Sequence, residues 1–464
     1  MMRRLTRGSD GWLRQVAGNV SARAVAIGAL TAATILIART GGADAVGSYA
    51  LLRMLPGLVG VLAVLGLPNA MAFFLAPGRG EHRALWPTIA MIAASGAAAG
   101  TVLWWLLTPV LRHLFFKHDS TALLLLTGLT VASQLVMTLG KTALQGLQQR
   151  RTADLAIAAE EVAFLPLFMV GTKVTGHGDA TIVWALMGAD LLVGLWAWHR
   201  VALSERWTRW GLAGPPHGWW GRPDRRLAKE IASYGTRGQV GGLVTLLNAR
   251  LDFMLLGAMA GPAVLGTYAV ASKYAELLRL PSLALSWTAY PRLAAVRPAE
   301  AAHRARRIAG PALVGVVAIA VPALLLAAPV THLLYGNGFD SAIRPAQILV
   351  LGMVLSGAAG AATGLLYAQG RPGINSLLLG LGLVVTVVLD LLLIPRHGAI
   401  GASVASTSAY LLSDGALVLL LLWSTRTARA PTSARTTVVV PLTTDTPVAV
   451  APHDAQQRSA GRAS

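Results

Sequence analysis

The chain has 464 residues, 55% of them hydrophobic and 13% charged, with a mean hydropathy of +0.59. This is too apolar for a soluble fold and marks an all-α polytopic membrane protein, because backbone polar groups in hydrocarbon must be satisfied within each segment. The formal charge of +19 invites a nucleic-acid partner, but the basic residues fall in alternate loops, which excludes one; the absence of cysteine excludes disulfides and thiolate metal sites.

Twelve apolar runs of spanning length follow, each expected to be a transmembrane helix. Span 1 (17–38) comes after Arg3, Arg4, Arg7 and Arg14, carries Arg23 and runs through Arg39 without a signal-peptide cleavage site. Span 2 (47–75) is long, holds Arg53 and can bend at Pro56, Gly57 and Pro68. Span 3 (85–109) precedes a short loop with His113, His118 and Asp119, read as interfacial and not as metal ligands. Span 4 (120–147) carries Lys141. Span 5 (154–173) carries Glu160 and Glu161 near enough to its end for snorkelling to account for them, and span 6 (179–199) carries Asp190. Residues 200–232 are basic, rich in Pro and Gly, and include Trp207, Trp210, Trp219 and Trp220. They read as a cytoplasmic linker, either an amphipathic segment on anionic headgroups or plain loop charge with an aromatic belt.

Span 7 (233–257) carries Arg237, Arg250 and Asp252. Two residues apart means roughly 200° of rotation, so Arg250 and Asp252 point to nearly opposite sides and each needs its own partner or water. Span 8 (264–290) has Lys273, Glu276 and Arg279 at i, i+3 and i+6, a ladder that pairs with itself and leaves one positive charge. Spans 9 (309–330), 10 (342–369), 11 (374–395, with Asp390 near its end) and 12 (399–424, with Asp414) complete the set. Residues 425–464 lack apolar periodicity and read as a disordered cytoplasmic tail.

The chain is written twice. GSYALL at Gly47 recurs as GTYAVA at Gly266, GNV at Gly18 as GQV at Gly238, and LQQRR ending at Arg151 as YAQGR ending at Arg371, at offsets of 219 or 220 positions. The expected domains are therefore a six-helix lobe over 1–199, the linker 200–232, a second six-helix lobe over 233–424 and the tail 425–464. Loop charge places both termini in the cytoplasm, which requires an even number of spans.

No loop is large enough for a catalytic domain, and no metalloprotease, nucleophile-elbow or nucleotide-binding motif is present, so neither an enzyme nor a cofactor is expected. The informative residues are the intramembrane charges, each costing about 2.5–3.5 kcal/mol at mid-helix. Arg23, Arg53 and Lys141 have no acid on their own helices. Either they line a wet cationic cavity, or they pair with Asp190 or a helix-end carbonyl. A cationic cavity without chemistry implies an anionic cargo that is moved and not converted, and a phosphate suits arginine's fork.

ARTGGADAVGSYALLRMLPGLVGVLAVLGLPNAMAFFLA and RLDFMLLGAMAGPAVLGTYAVASKYAELLRLPSLALSWTAYPRLA resemble the matching hairpins of bacterial O-antigen-type polysaccharide flippases, in the multidrug/oligosaccharidyl-lipid/polysaccharide exporter superfamily. The resemblance implies two six-helix lobes, a central cavity, alternating access and export of an undecaprenyl-diphosphate-linked oligosaccharide across the bacterial cytoplasmic membrane, with glycan-assembly proteins as further partners. Lipid II flippases carry two extra helices, for which this chain has no room; drug antiporters usually bear an acid in helix 1, where this chain has Arg23. On this reading Arg23, Arg53, Lys141, Lys273 and Arg279 bind substrate, and Arg250, Asp252 and Arg39 form a gate in which Arg39 pairs with Asp252. A cation-coupled drug exporter, a membrane-embedded glycosyltransferase or polymerase, and a non-transporting lipid-binding scaffold are the competing readings.

Overall fold

The computed structural model describes residues 2–64, 66–76, 84–176, 178–204, 221–276, 278, 289–290 and 293–427, and no strand occurs among them. Arg279, most of the linker and the tail beyond Thr427 lie outside the described residues.

The helices in order are α1 (Met2–Ala63), α2 (Leu67–Phe74), α3 (Leu85–Leu114), α4 (Thr121–Gly146), α5 (Arg150–Thr175), α6 (Asp179–Ala202), α7 (Arg225–Ala260), α8 (Pro262–Glu276), α9 (Pro298–Tyr335), α10 (Asp340–Gly352), α11 (Ser356–Ala368) and α12 (Pro372–Thr427). Two of these runs are hinged. α1 breaks at Gly42 (φ 69°, ψ −163°) and α12 at Gly398 (φ 52°, ψ −128°), a backbone region in which a side chain is strained. Each hinge separates two arms that the sequence assigns to consecutive spans. Span 2 is in turn broken after Ala63, and Gly66 (φ 73°) caps α2, whose first turn contains Pro68. Span 10 is likewise two helices, α10 and α11, bent by 43°.

Among the described residues seven helical runs are long and apolar enough to cross a membrane, with the bent pair as an eighth. Large apolar side chains face outward along them, with Leu106, Val174, Leu325 and Leu333 each more than 70% exposed. In water such a surface would be prohibitive; against lipid tails it is neutral. The chain is a multi-pass membrane protein.

The duplication is also present in the backbone. Left-handed junctions fall at Gly42 and Gly261, at Gln148 and Gly370, and at Gly176 and Gly398. The paired positions are 219, 222 and 222 residues apart, so each half turns its corners at the same places.

The halves meet along the second arm of α1, which packs on α8. At the face away from the chain's N-terminus, a β-carbon on Gly47 would overlap the carbonyl of Pro262, and one on Gly266 would overlap that of Ala43. These contacts are related by the repeat, since Gly47 corresponds to Gly266 and Ala43 to Pro262. At the opposite, near face, α2 lies against α7: Phe73 stacks on Tyr234 at 4.2 Å, and Gln239 Nε2 donates to the Val61 carbonyl at 3.0 Å. A cavity lies between the two zones.

Candidate functional site

The interlobe cavity has a volume of about 290 Å³ and takes its walls from both halves. The second arm of α1 contributes Tyr49 and Arg53, α4 contributes Gln134 and Thr138, α7 contributes Arg250 and Phe253, and α8 contributes Lys273. Among the described residues, three cations and no carboxylate line it. Local sequence sets this up. Gln134 Nε2 reaches across to the Arg53 carbonyl at 3.2 Å, through space left by Gly57.

The sequence expectation of lone cations is corrected. Arg53 forms a two-pronged pair with Glu161: Nη1 donates to Oε2 at 2.9 Å and Nη2 to Oε1, while Nη1 also donates to the Tyr49 hydroxyl at 2.7 Å. Lys141 bonds Glu160 at 2.8 Å. Glu160 and Glu161 do not snorkel; they sit ten and eleven residues into α5, near its middle, facing two other helices. Asp190 is buried and accepts from Ser133 Oγ at 3.0 Å, so it is not the partner of either cation in this state. Lys273 pairs with Glu276 at 2.9 Å, as the ladder anticipates. Arg23 is exposed on α1 and does not line the cavity.

The expected gate is also corrected. Asp252 lies eight residues before the end of α7, about 12 Å inside it, because the helix continues to Ala260. It is buried and does not meet Arg39. The Tyr268 hydroxyl donates to Oδ2 at 2.5 Å, the Phe253 backbone N–H to Oδ1 at 2.9 Å, and Ser406 joins Tyr268 at 3.1 Å. Arg39 instead donates through Nε to the Leu334 carbonyl at 2.8 Å and through Nη2 to that of Leu333, tying the first arm of α1 to the end of α9. Arg250 turns away from Asp252 into the cavity, with its guanidinium carbon 5.7 Å from the centre of the Phe253 ring. The argument from opposed directions holds, and it moves Arg250 from a gate to the cavity wall.

Asp390 departs furthest from expectation. It is completely buried in the first arm of α12, and neither carboxylate oxygen has a hydrogen-bond partner among the described residues. Its position within about two turns of the end of span 11 suggests snorkelling or headgroup contact, because the apolar run stops nearby. The larger cavity at the far face, about 360 Å³, is lined by Asp44, Asp119 and Asp179 and draws almost all of its wall from the first half, so it is no path between lobes.

Solved membrane transporters share this fold of repeated helical halves around a central cavity. Lipid II flippase MurJ, in an inward closed conformation, superposes with a TM-score of 0.69 at 12% identity, covering 90% of each chain. An inward-facing multidrug resistance MATE family transporter of the MOP superfamily gives 0.70 at 13% identity, covering 87% of this chain and 95% of the other. The MATE multidrug transporter DinF-BH gives 0.60 at 17% identity, covering 88% and 94%. No curated protein matches the sequence. A family model described as polysaccharide biosynthesis protein matches residues 36–344, and the chain belongs to that family.

Proposed function

We propose that the protein is a flippase that carries a polyprenyl-diphosphate-linked oligosaccharide from the cytoplasmic to the outer leaflet of the bacterial cytoplasmic membrane, with both termini cytoplasmic. One observation carries this reading: Arg53, Arg250 and Lys273, from opposite halves, converge on one cavity whose described wall holds no carboxylate. Positive charge shared between two lobes suits a diphosphate, which binds both halves at once and moves as they rock. Tyr49 and Phe253 add aromatic surface beside the charges, suited to sugar or prenyl faces.

Membership in a polysaccharide biosynthesis family supports a glycan cargo. The cation-coupled exporter reading draws on a different observation, the buried carboxylates Asp252 and Asp390, which offer a proton or small cation a place to bind. It describes the driving force and is compatible with an anionic cargo.

The test is export of the glycan in a strain lacking the native gene. The lipid-linked intermediate should accumulate on the cytoplasmic leaflet, and the wild-type gene should clear it. Arg250→Gln, with no ion pair to lose among the described residues, should reduce export at least about tenfold at normal protein abundance. Wild-type export by Arg250→Gln and by Lys273→Gln would sink the anion reading. A maleimide probe at Arg222→Cys, an exposed position within the linker, should react only in inverted vesicles if the termini are cytoplasmic.

A further inference from the structure

Arg53 is already occupied. Both of its terminal nitrogens engage Glu161, and the two-pronged edge they form is the edge a phosphate would use. The Arg53 side chain is 28% exposed and lines the cavity; that of Glu161 is 13% exposed and stands behind it on α5. A carboxylate of the protein, standing outside the described cavity wall, therefore holds the guanidinium edge that the proposed function gives to the substrate's diphosphate. The neighbouring Glu160 grips Lys141 of α4 in the same way. Consecutive residues of α5, roughly 100° apart around the helix, thus clasp two different helices. A small polar chamber of about 120 Å³, lined by Arg53, Gln134, Thr138, Glu160 and Asp190, adjoins the clasp and gives its side chains room to move.

We propose that Glu161 is an internal stand-in for the substrate anion. The diphosphate displaces it from Arg53, which frees the second arm of α1 from α5, and the return of Glu161 expels the anion on the other side. This rests on the diphosphate reading. Exchange of one oxyanion for another on the same fork is nearly balanced, so neither the loaded nor the empty state becomes a trap. A free Arg53 would hold a diphosphate through charge-assisted bonds and release it slowly. The freed element is the one that matters for rocking: the second arm of α1 carries Gly47 at the far contact and leads into α2 at the near one.

The experiment uses the purified full chain in detergent, farnesyl diphosphate as probe and farnesol as the uncharged control. Glu161→Gln should bind the diphosphate about tenfold more tightly than wild type, Arg53→Gln more weakly, and the double variant as weakly as Arg53→Gln, with farnesol unaffected throughout. The absence of native cysteine allows spin labels at Leu62→Cys and Leu155→Cys, both exposed, to follow α1 against α5. Their separation should widen when farnesyl diphosphate is added to the otherwise native protein. Unchanged or weaker binding by Glu161→Gln, with Arg53→Gln still impaired, overturns the stand-in and leaves the cavity reading in place. Unimpaired binding by Arg53→Gln removes the cavity reading itself. Should Glu161→Gln fail to fold, an unchanged spin-label distance on loading the native pair overturns the stand-in independently.

Discussion

Asp252 and Asp390 lie on packed helices of the second half, α7 and α12, and differ in one respect that decides what each contributes. Asp252 has a tyrosine hydroxyl and a backbone N–H for its two oxygens, whereas Asp390 has neither. A hydrogen bond to a charged group contributes about 1.5–3 kcal/mol, while a buried polar group without a partner costs about as much. Asp252→Asn should therefore lower the thermal stability of the detergent-solubilised protein by about 1–2 kcal/mol, and Asp390→Asn should leave it unchanged or raise it by about the same amount. The comparison is made in choline buffer, so that no alkali cation stabilises the native carboxylate, and is read by tryptophan fluorescence on heating. Equal destabilisation by both variants would mean that Asp390 has a partner in the fold. Legibility at this scale is uneven. Arg53, Lys141 and Lys273 stand out in the sequence as charges that need an explanation, but the acids that answer the first two are misplaced by it. Hydropathy marks where apolar sequence starts, not where a helix starts: α5 begins at Arg150, four residues before the apolar run, which pushes Glu160 and Glu161 deeper than they look. The usable signal is complementary: two cations without acids on spans 2 and 4, and two adjacent acids in the middle of α5, far from the Lys173 at its end.

Those pairs act between elements: one joins residues 108 positions apart in the chain, the other joins two helices that follow each other directly. The Arg53–Glu161 clasp fastens the second arm of α1 to α5, and Lys141–Glu160 fastens α4 to α5. Breaking one partner strands the other in a low-dielectric interior, which is worse than removing both. Arg53→Ala alone should destabilise the fold by on the order of 2 kcal/mol, less than for a fully buried pair because both side chains keep some solvent contact. Adding Glu161→Ala should recover most of that stability without recovering export. Protein abundance in membranes and melting in detergent separate the two effects; a double variant no more stable than Arg53→Ala would show that the loss comes from elsewhere. Removing an unpaired intramembrane cation would relieve an insertion penalty; the Glu161 partner reverses that sign for Arg53. Helix breaks are half legible. Pro68 and the length of span 2 announce a bend, and the structure places it at Gly66, but nothing in span 10 signals the 43° bend between α10 and α11, where Gly352 packs against Thr407.

For the whole molecule, the internal repeat carries most of what can be read, since recurrence of GxYA at a fixed offset implies two copies of one structure whatever the exact helix count. What a repeat cannot disclose is which face is closed, because that depends on contacts between copies. In the structure both faces are in contact: the near one through Phe73 on Tyr234, the far one through the symmetric approach of Gly47 to Pro262 and Gly266 to Ala43, reinforced by Arg39 on the last carbonyls of α9. Here glycine acts by having no side chain: the backbones of α1 and α8 come together so closely that any β-carbon must push them apart. Gly266→Ala should therefore bias the lobes open at the far face, and Arg39→Gln should do so more weakly by releasing α1 from α9. A Met54→Cys reporter, on the cavity wall, reads this directly through labelling of intact cells by an impermeant maleimide. Labelling should rise severalfold in Gly266→Ala and further in the double variant with Arg39→Gln, since both contacts hold the same closure. Asp252→Asn should add its own defect independently, because Asp252 bonds Tyr268 and not Arg39, and sites without shared partners contribute additively. Unchanged labelling in Gly266→Ala at normal abundance would show that the lobes are held elsewhere and that the glycine contact follows closure without causing it.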